Sequence, residues 1–449
     1  VGSPPGSDPS AGGQAGQHAD PHQRAAARAA LTRQLAVITG GPGTGKTTTV
    51  ARILAAMVGL AVEAGRPLPR IRLAAPTGKA AARLGDSLRV AKARMSEASI
   101  AAHIPEKAST LHRLIGTRPD TRRPRHDARN TLPLDVLVVD EASMIDVPLM
   151  ARVIAALPPH ARLVLLGDAD QLASVEAGAV LGDVCGGTAG ARSRSPLRDS
   201  IAKLVTSHRF DAERGIGALA QAINAGSVED ALRVCRDDPA VKLVASTGAE
   251  ASKALIAAGV DAFRACLAAT DVAEATRRFG AFRVLCALRE GPWGVKTINA
   301  AMERSLALAG LVDPGSRHWR GRPLLINAND YGVELFNGDI GLVWPDDDGT
   351  LRACFVAPDG RVKRLPLNRL PAHETALAMT VHKAQGSEFD RIALVMPDRD
   401  APVLTRELVY TAVTRARNAV DIYGSEELFG LAIRRRVSRS SGLRDALWT

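Results

Sequence analysis

The sequence has few aromatic side chains, few cysteines and no long apolar run. Only 3% of its 449 residues are Phe, Trp or Tyr, so ring surfaces that stack on flat ligands must be scarce. No stretch approaches the ~18 uninterrupted apolar residues of a membrane-spanning helix, which argues against a membrane protein. The five cysteines are scattered and never in C-x-x-C spacing, at Cys185, Cys235, Cys266, Cys286 and Cys354. This pattern argues against a disulfide framework and a zinc site, and it predicts reduced thiols in a cytoplasmic protein.

The rest of the composition is that of an ordinary globular protein with a basic surface. Apolar residues make up 46% and charged residues 23%, and the length predicts two or three domains. Lys and Arg number 58 against 47 Asp and Glu, a formal net charge of +11. This balance favours a polyanionic partner such as DNA or RNA, although a merely solvated basic surface would give the same number.

A glycine-rich loop follows the first apolar run and organises the first half of the chain. The run Leu35–Thr39 leads into Gly40-Gly-Pro-Gly-Thr-Gly-Lys-Thr47, and a helix is predicted from Thr48 to about Leu60. This is the pattern G-x-x-x-x-G-K-[ST] in its required strand–loop–helix context. Backbone N–H groups of such a loop close on a polyphosphate at the positive end of the helix. The candidate nucleotide-binding residues are Gly40, Gly41, Pro42, Gly43, Thr44, Gly45, Lys46, Thr47 and Thr48.

Three further apolar runs predict a parallel sheet around this loop. They are Ile71–Ala75, Leu134–Val139 and Arg162–Gly167, and helical stretches alternate with them. Continuous apolar strands of this kind are covered by helices on both faces, and ligand groups collect at their carboxyl ends.

Acidic and amide side chains stand at these carboxyl ends. Asp140 can hold the Mg²⁺ that bridges the β- and γ-phosphates, as can the hydroxyl of Thr47. The adjacent Glu141 can deprotonate an attacking water, and Gln171 can sense the γ-phosphate from the next strand. The sequence therefore predicts hydrolysis of a nucleoside triphosphate with Mg²⁺, with Lys46 on the phosphates.

The second half of the chain predicts another α/β domain with an insertion. Phe282–Leu288, Arg391–Met396 and Ala419–Tyr423 have the composition of buried strands. Between about 312 and 370, short alternating runs are broken by the hairpin signals Asn337-Gly338, Asp348-Gly349 and Asp359-Gly360. A small antiparallel barrel is the economical interpretation.

Eight motifs occur in an order typical of helicases. They are Gly40–Thr47, Ala75–Ala80, Ser109–His112, Val138–Ser143, Gly167–Leu172, Ser207–Phe210, Thr380–Phe389 and Leu408–Arg417. Taken together, from Asp20 to Trp448, the chain resembles the superfamily 1 DNA helicases. It is most similar to the RecD family, the alpha subunits of RecBCD-type exodeoxyribonuclease V. Three further stretches are RecD-like in particular: Leu335–Ile340, Val403–Leu408 and Ser441–Leu443.

The resemblance implies a fold of two RecA-like, P-loop NTPase-type domains with a small SH3-like β-barrel inserted in the second. The implied boundaries are a disordered tail over 1–20, a first motor domain over 21–200, a second over 201–311 and 371–449, and the barrel over 312–370. An Arg-, Pro- and His-rich segment, about 113–131, is predicted to be a small hairpin insertion. Contact with DNA and a solvated insertion are both open for that segment.

The resemblance also assigns roles to single residues around ATP. Gln23 would read the adenine, although a solvated helix glutamine is an open alternative. Arg209 and Arg415 would reach the phosphates from the second domain as arginine fingers, and Glu388 would lie near the ribose. The catalytic set is then Lys46, Asp140, Glu141, Gln171, Arg209 and Arg415.

On the nucleic-acid side, the resemblance points to residues with hydroxyl, imidazole or amine groups. They are Thr77, Lys79, Thr110, His112, Thr380 and His382. Such groups suit contact with phosphates and sugars, which is independent of base sequence and weakens steeply with salt. The expected partners are single-stranded DNA, duplex ends, and RecB- and RecC-like subunits.

The expected function is an ATP-driven helicase that moves 5′ to 3′ on single-stranded DNA, with no nuclease site of its own. A stand-alone RecD-like helicase without RecB or RecC is the alternative within this class. A DNA-binding structural subunit with a decayed ATPase is the alternative from another class. RecD proteins usually carry an N-terminal domain that docks onto the RecC-like subunit, whereas about 20 low-complexity residues precede the first predicted helix here, so assembly is open.

Overall fold

The fold is described from a computed structural model. It covers residues 20–117, 123–174, 178–186, 195–244, 249–313, 315–330, 332–357, 360–437 and 442–448. The predicted disordered tail, all but Asp20, and the hairpin signal at Asp359 lie outside these described residues, as does Ser441.

The first half of the chain alternates strands and helices. Its helices are α1 (Pro21–Thr32), α2 (Lys46–Glu63), α3 (Gly78–Lys92), α4 (Ala98–Ala102), α5 (Leu111–Ile115), α6 (Val147–Ala156) and α7 (Val180–Cys185). Its strands are β1 (Leu35–Gly40), β2 (Ile71–Ala75), β3 (Ala108–Thr110), β4 (Val136–Val139), β5 (Arg162–Gly167) and β6 (Ile201–Leu204). The six strands form one parallel sheet in the order β3-β2-β4-β5-β1-β6.

Helices cover both faces of this first sheet. Successive residues of β1 enter opposite cores, Val37 with α6 and α7 and Ile38 with α1 and α2. Leu137 and Val138 of β4 divide in the same way. Burial on both faces explains why these strands are continuously apolar in the sequence, and the predicted doubly covered parallel sheet is confirmed.

The second half of the chain adds another set of helices and strands. The helices are α8 (Gly215–Ala225), α9 (Val228–Asp237), α10 (Ala249–Leu267), α11 (Val272–Phe279), α12 (Val295–Leu308), α13 (Arg406–Val413), α14 (Glu426–Arg434) and α15 (Leu443–Trp448). The strands are β7 (Val241–Val244), β8 (Phe282–Cys286), β9 (Pro323–Ile326), β10 (Ile340–Pro345), β11 (Leu351–Val356), β12 (Val362–Pro366), β13 (His373–Thr375), β14 (Ala378–Thr380), β15 (Phe389–Val395) and β16 (Ala416–Tyr423).

These strands form two sheets. The order β14-β8-β15-β16-β7 is a second parallel sheet, again with a core on each face. Inserted between β8 and β14 is an antiparallel sheet in the order β12-β11-β10-β9-β13. The tight turn at Asp348-Gly349 joins β10 and β11 as predicted, since the N–H of Gly349 donates to Asp346 O at 2.9 Å. The predicted antiparallel insertion is confirmed in that coarse form.

Strand pairing moves two of the predicted domain limits. Strand β6 begins one residue after the predicted limit at 200, yet it pairs with β1 in the first sheet. Strand β13, beyond the predicted limit at 370, pairs with β9 in the inserted sheet. Strands as short as these, at a junction between domains, carry too little sequence pattern to show which strand they pair with.

Of the predicted insertion 113–131, residues 113–115 belong to α5, and the described remainder includes a turn closed by Asp127 and Asn130.

The end of the chain returns from the second domain to the first. Helix α15 packs against α7, where Trp448 Nε1 donates to Asp183 O at 3.0 Å. Arg444 Nη2 donates to Gly186 O at the same distance. The first domain therefore carries both α1 and α15, and the second lies between them along the chain.

Candidate active site between the two parallel sheets

The phosphate-binding loop connects β1 to α2 at the carboxyl edge of the first sheet. Gly43 and Gly45 take left-handed backbone angles, with φ of 77° and 79°, which only glycine adopts without strain. Lys46 Nζ donates to Gly40 O at 2.6 Å and to Gly41 O at 3.1 Å, so the amine is folded back over the loop. Helix α2 begins at Lys46, two residues before the predicted start, because Gly45 ends the loop.

The loop is closely covered by the segment that joins β6 of the first sheet to α8, so Arg209 reaches it from this connection and not from the body of the second domain as predicted. A Cβ on Gly43 would lie 2.4 Å from Arg209 Cβ, and the N–H of His208 donates to Gly43 O at 2.9 Å. Ser207 Oγ donates to Pro42 O at 3.2 Å. The predicted finger residue Arg209 is thus held directly beside the phosphate loop by the contacts of the two residues before it.

Gln23 lies beside the loop in the structure. Its Oε1 accepts from Arg52 Nη1 at 3.0 Å, and its Nε2 is 3.5 Å from the position of a Cβ on Gly45. Helix α1 places it there, beginning after Asp20, whose carboxylate accepts from His22 N. The adenine-reading role remains a prediction.

Asp140 and Glu141 follow β4 at the same edge of the sheet. Asp140 Oδ1 accepts from Glu141 N at 2.8 Å, and Glu141 has a left-handed φ of 51°, an uncommon angle for a side chain of this size. Burial and the neighbouring Glu141 charge raise the pKa of Asp140, while Lys46 and Arg83 act in the opposite direction. The repulsion between two adjacent carboxylates, seen in the raised pKa of Asp140, would be relieved by a divalent cation. Mg²⁺ in particular binds one or two carboxylates together with phosphate oxygens.

Gln171 is held in a buried hydrogen-bonded group at the end of β5. Its Nε2 donates to Asp168 Oδ2 at 2.9 Å, and the Tyr410 hydroxyl donates to the same oxygen at 3.0 Å. Tyr410 belongs to α13 of the second domain, so this group joins the two halves of the site. Burial raises the pKa of Asp168, and the charge of Lys46 opposes that rise.

Glu388 collects three guanidinium groups at the start of β15. Arg209 Nη2 lies 2.8 Å from Glu388 Oε1, Arg417 Nη2 lies 3.3 Å from Oε2, and Arg83 of α3 also pairs with Oε1. Burial alone would raise the pKa of Glu388, but Arg83 and Arg209 outweigh it and lower the pKa to about 2. Arg83 comes from the first domain, so this ion cluster also spans the interface. The ribose contact of Glu388 stays a prediction.

Arg415, the second predicted finger, is 4% exposed at the end of α13. Its Nε donates to Thr411 O at 3.1 Å and its Nη1 to Ser387 O at 3.4 Å. Burial lowers its pKa, and the charge of Glu141 is the largest influence in the other direction. Arg415 therefore lies within electrostatic range of Glu141, one of the predicted catalytic residues.

The predicted DNA-contact residues lie at the carboxyl ends of strands in both parallel sheets. The hydroxyls of Thr77, Thr110 and Thr380 cap the turns that follow, accepting from Ala80 N, Arg113 N and Lys383 N. His112 is exposed on α5, and His382 lies in the short helical turn His382–Ala384.

Lys79 differs from the other predicted DNA contacts. Its Nζ donates to Ser387 Oγ at 2.6 Å and to Gly338 O at 3.3 Å. Burial lowers its pKa to about 8. The neighbouring Gly78 has no room for a side chain, since a Cβ there would lie 2.2 Å from the ring of Phe336. The loop before β10 therefore covers the start of α3 and buries the amine.

Sequence reasoning missed Arg83, Asp168 and Tyr410 as site residues. Arg83 lies four residues after Lys79 on α3, a spacing that places both side chains on one face of the helix. That spacing is the signal that could have pointed to Arg83. Asp168 and Tyr410 lie inside the motif stretches but 242 positions apart, and the sequence carries no sign of their pairing.

Comparisons with known families match both parallel-sheet domains. The AAA domain family matches residues 23–177, and the UvrD-like helicase C-terminal domain family matches residues 375–423.

Curated relatives extend the match to nearly the whole chain. RecBCD enzyme subunit RecD of Mycobacterium tuberculosis is 46% identical over 435 residues, covering 94% of this chain and 72% of that protein. The chain belongs to the RecD family. The RecD subunit of Haemophilus influenzae is 38% identical over 94% of this chain and 71% of its own length. ATP-dependent RecD2 DNA helicase of Deinococcus radiodurans is 32% identical over 92% of this chain and 50% of its own length.

Membership of the RecD family confirms the resemblance drawn from the eight motifs, and it makes the chain a helicase. A solved Pif1 helicase of Candida albicans aligns over 95% of this chain and 98% of its own, at 14% identity and a TM-score of 0.48, a likeness too distant to add to the assignment. Within the described part of this RecD-family chain, no helix is long and apolar enough to cross a membrane.

Proposed function

We propose that this RecD-family helicase is the ATP-driven motor subunit of a RecBCD-type exodeoxyribonuclease V, moving 5′ to 3′ on single-stranded DNA in double-strand-break repair and recombination. The observation that carries the proposal is the cross-domain site. Lys46, Asp140 and Glu141 lie in the first domain, and Arg209 lies just after β6, where it pairs with Glu388 of the second domain. Arg415 approaches from the second domain itself.

The residues of the loop are proposed to bind ATP. Backbone N–H groups of 40–48 would surround the phosphates, and Lys46 would leave the carbonyls of Gly40 and Gly41 for the β- and γ-phosphates. Thr47 and Asp140 would hold Mg²⁺, which neutralises developing phosphate charge when bound. Glu141 would take the proton of the attacking water, and Gln171 would orient it or sense the γ-phosphate.

The arginines are proposed to make ATP hydrolysis depend on closure of the two domains. A guanidinium stabilises the charge that grows on the transferring phosphoryl group. Arg209 lies against Gly43 and pairs with Glu388, so a short rotation would exchange the carboxylate for a phosphate. ATP would then close the cleft and hydrolysis would reopen it, which is how a motor of two such domains takes a step.

Single-stranded DNA is proposed to pass over the carboxyl ends of both parallel sheets. Thr77, Thr110 and His112 in the first domain and Thr380 and His382 in the second would contact its backbone, with Lys79 once its cover moves. We propose that the inserted sheet over 323–375 is an SH3-like barrel that helps to close this channel. Backbone contact by a chain of net charge +11 predicts binding that weakens steeply with salt.

The partners are proposed from the relatives. Those that match over about seven tenths of their own length are named as RecBCD subunits, which favours RecB- and RecC-like partners and duplex ends as the substrate. The Deinococcus relative, named a RecD2 helicase, supports the alternative of a stand-alone helicase. We also propose a cytoplasmic location, from the scattered cysteines of the sequence.

The first experiment measures ATP hydrolysis with and without single-stranded DNA. We expect strong stimulation by DNA and a loss of roughly 100-fold in kcat for Lys46→Ala, the range seen when one charge-stabilising donor is removed. Lys253→Ala, an exposed lysine on α10, is the matched control and should hydrolyse ATP like the native chain. Equal hydrolysis without DNA would refute the coupling between cleft and channel, and DNA binding without any hydrolysis would favour the structural-subunit alternative.

The direction of movement on DNA and the assembly with RecB- and RecC-like subunits need separate measurements. Duplexes with a 5′ tail should be unwound and those with a 3′ tail should not. Co-sedimentation with RecB and RecC of a close relative would support the heterotrimer, whereas processive unwinding by the isolated chain with no association would favour the stand-alone helicase.

A further inference from the structure

The end of strand β5 is attached to the second domain at three points. Besides the Tyr410 contact with Asp168, Leu172 N donates to Thr411 Oγ1 at 2.8 Å, and Gln385 Nε2 donates to Leu172 O at the same distance. The segment 168–172 is therefore fixed to α13 and to the turn after His382–Ala384. Two of these three contacts are with backbone atoms of Leu172, whereas the Tyr410 contact is with the side chain of Asp168.

The Asp168 carboxylate determines which way the Gln171 amide faces. A glutamine amide has two N–H donors and one carbonyl acceptor, and its orientation is decided by its partners. Asp168 accepts only, so it binds the nitrogen end, and Oε1 faces away from it. All three side chains are nearly inaccessible, with Asp168 2%, Tyr410 4% and Gln171 7% exposed, so water cannot replace a lost donor.

The Tyr410 hydroxyl also lies against the phosphate loop. A Cβ on Gly41 would be 3.0 Å from Tyr410 Oη, and Gly41 O is one of the two acceptors of Lys46 Nζ. Burial and the Asp168 charge raise the pKa of Tyr410 well above its usual value, so the hydroxyl keeps the proton that it donates. A single group of the second domain therefore meets both the loop and the carboxylate that orients Gln171.

We propose that Tyr410 is a positioning residue that, through Asp168, holds the Gln171 amide in the orientation needed for hydrolysis, so that Gln171 is aligned only while α13 is docked. The proposal rests on the proposed role of Gln171 at the γ-phosphate. It adds a second means, besides the arginines, by which the second domain controls the chemistry in the first.

The test uses Tyr410→Phe, which keeps the ring and removes the hydroxyl. We expect kcat with DNA to fall roughly 10-fold, as when a hydrogen-bonded support of a site residue is removed, and KM for ATP to change by less than about 2-fold. Tyr423→Phe, another buried tyrosine of the second domain, is the matched control and should keep the native kcat. In a Gln171→Ala background, Tyr410→Phe should cause no further loss, because both changes act on one group. A native kcat, or losses that multiply in the double variant, would overturn the proposal.

A second measurement does not need activity. The side-chain amide resonance of Gln171 is identified in a nitrogen-labelled spectrum as the one lost in Gln171→Ala. It should shift in Tyr410→Phe and stay in place in Tyr423→Phe, and an unchanged resonance in Tyr410→Phe would overturn the positioning role. A native chain without DNA-stimulated hydrolysis would contradict the proposed function, while this spectrum would still decide the inference.

Discussion

Replacing Glu388 with Gln should show how much the ion cluster at the interface contributes to stability. The substitution keeps the shape of the side chain and removes its charge. Arg83, Arg209 and Arg417 would then face a neutral amide, and the Glu388 side chain is only 10% exposed, so solvent screening is weak. The first domain supplies Arg83, so the loss should weaken the attachment between domains as well as β15 itself.

The magnitude follows from the pKa of Glu388. It lies at about 2 in the folded protein against an ordinary 4.5, so the fold favours the ionised form. A shift of this size corresponds to about 3 kcal/mol of unfolding free energy at pH 7. Because the folded pKa is the lower one, this contribution is complete above pH 4.5 and is lost as the pH falls towards 2. It should have decreased to about 1 kcal/mol at pH 3.

Urea unfolding of the native chain and of Glu388→Gln at pH 7 and at pH 3 measures this difference. The control is Asp390→Asn on the same strand, whose half-exposed side chain pairs with Arg417 at 3.5 Å. This change should cost less than about 1 kcal/mol. A difference between native and Glu388→Gln that is the same at both pH values, or no larger than that of the control, would refute the electrostatic reasoning.

Two further predictions concern the phosphate loop and Lys79. Gly43→Ala should weaken binding of a fluorescent ATP analogue and lower stability by about 2 kcal/mol, since it combines a left-handed φ with contact against Arg209. Gly65→Ala, at a φ of 60° with open space around it, should cost only about 1 kcal/mol and leave ATP binding intact; equal effects would contradict the packing argument. The pKa of Lys79 is lower in the folded protein, at about 8, than in the unfolded chain, at 10.5. The free energy of unfolding of the native chain should therefore rise by up to about 3 kcal/mol between pH 8 and 10.5. This rise should be missing in Lys79→Met. Parallel pH profiles of unfolding for the two proteins would show that Lys79 is instead solvated.

The sequence was a good guide to whatever depends on local pattern. Strands β2 and β5 begin and end where predicted, because apolar runs between polar loops define both limits. Strands β15 and β16 begin earlier than predicted, at Phe389 and Ala416, since parallel pairing continues through polar residues at the sheet edge. The phosphate loop, with its strand and helix, was predictable because phosphate binding requires its glycines, Lys46 and Thr47 at fixed spacing.

What the sequence could not show is how distant segments cover one another. Lys79 has the chemistry of a DNA contact, yet whether its amine meets DNA or protein depends on a loop about 260 residues away. Arg283 lies in a correctly predicted buried strand, but it has no carboxylate partner among the residues that the structure describes. It donates to the carbonyls of Ala376 and Phe279 and lies 3.6 Å from the centre of the Phe279 ring. Contacts of this kind follow from tertiary packing, which residue type and spacing do not encode.

The return of α15 to the first domain decides how a pulling force would pass through the molecule. A bead attached after Trp448 would load α7 and the first sheet directly, by way of the Asp183 and Gly186 contacts. The second domain would carry tension only once α15 is pulled away. Single-molecule records taken through α15 should therefore show one early detachment event. Only after that event would the measured compliance describe the cleft proposed to hold ATP.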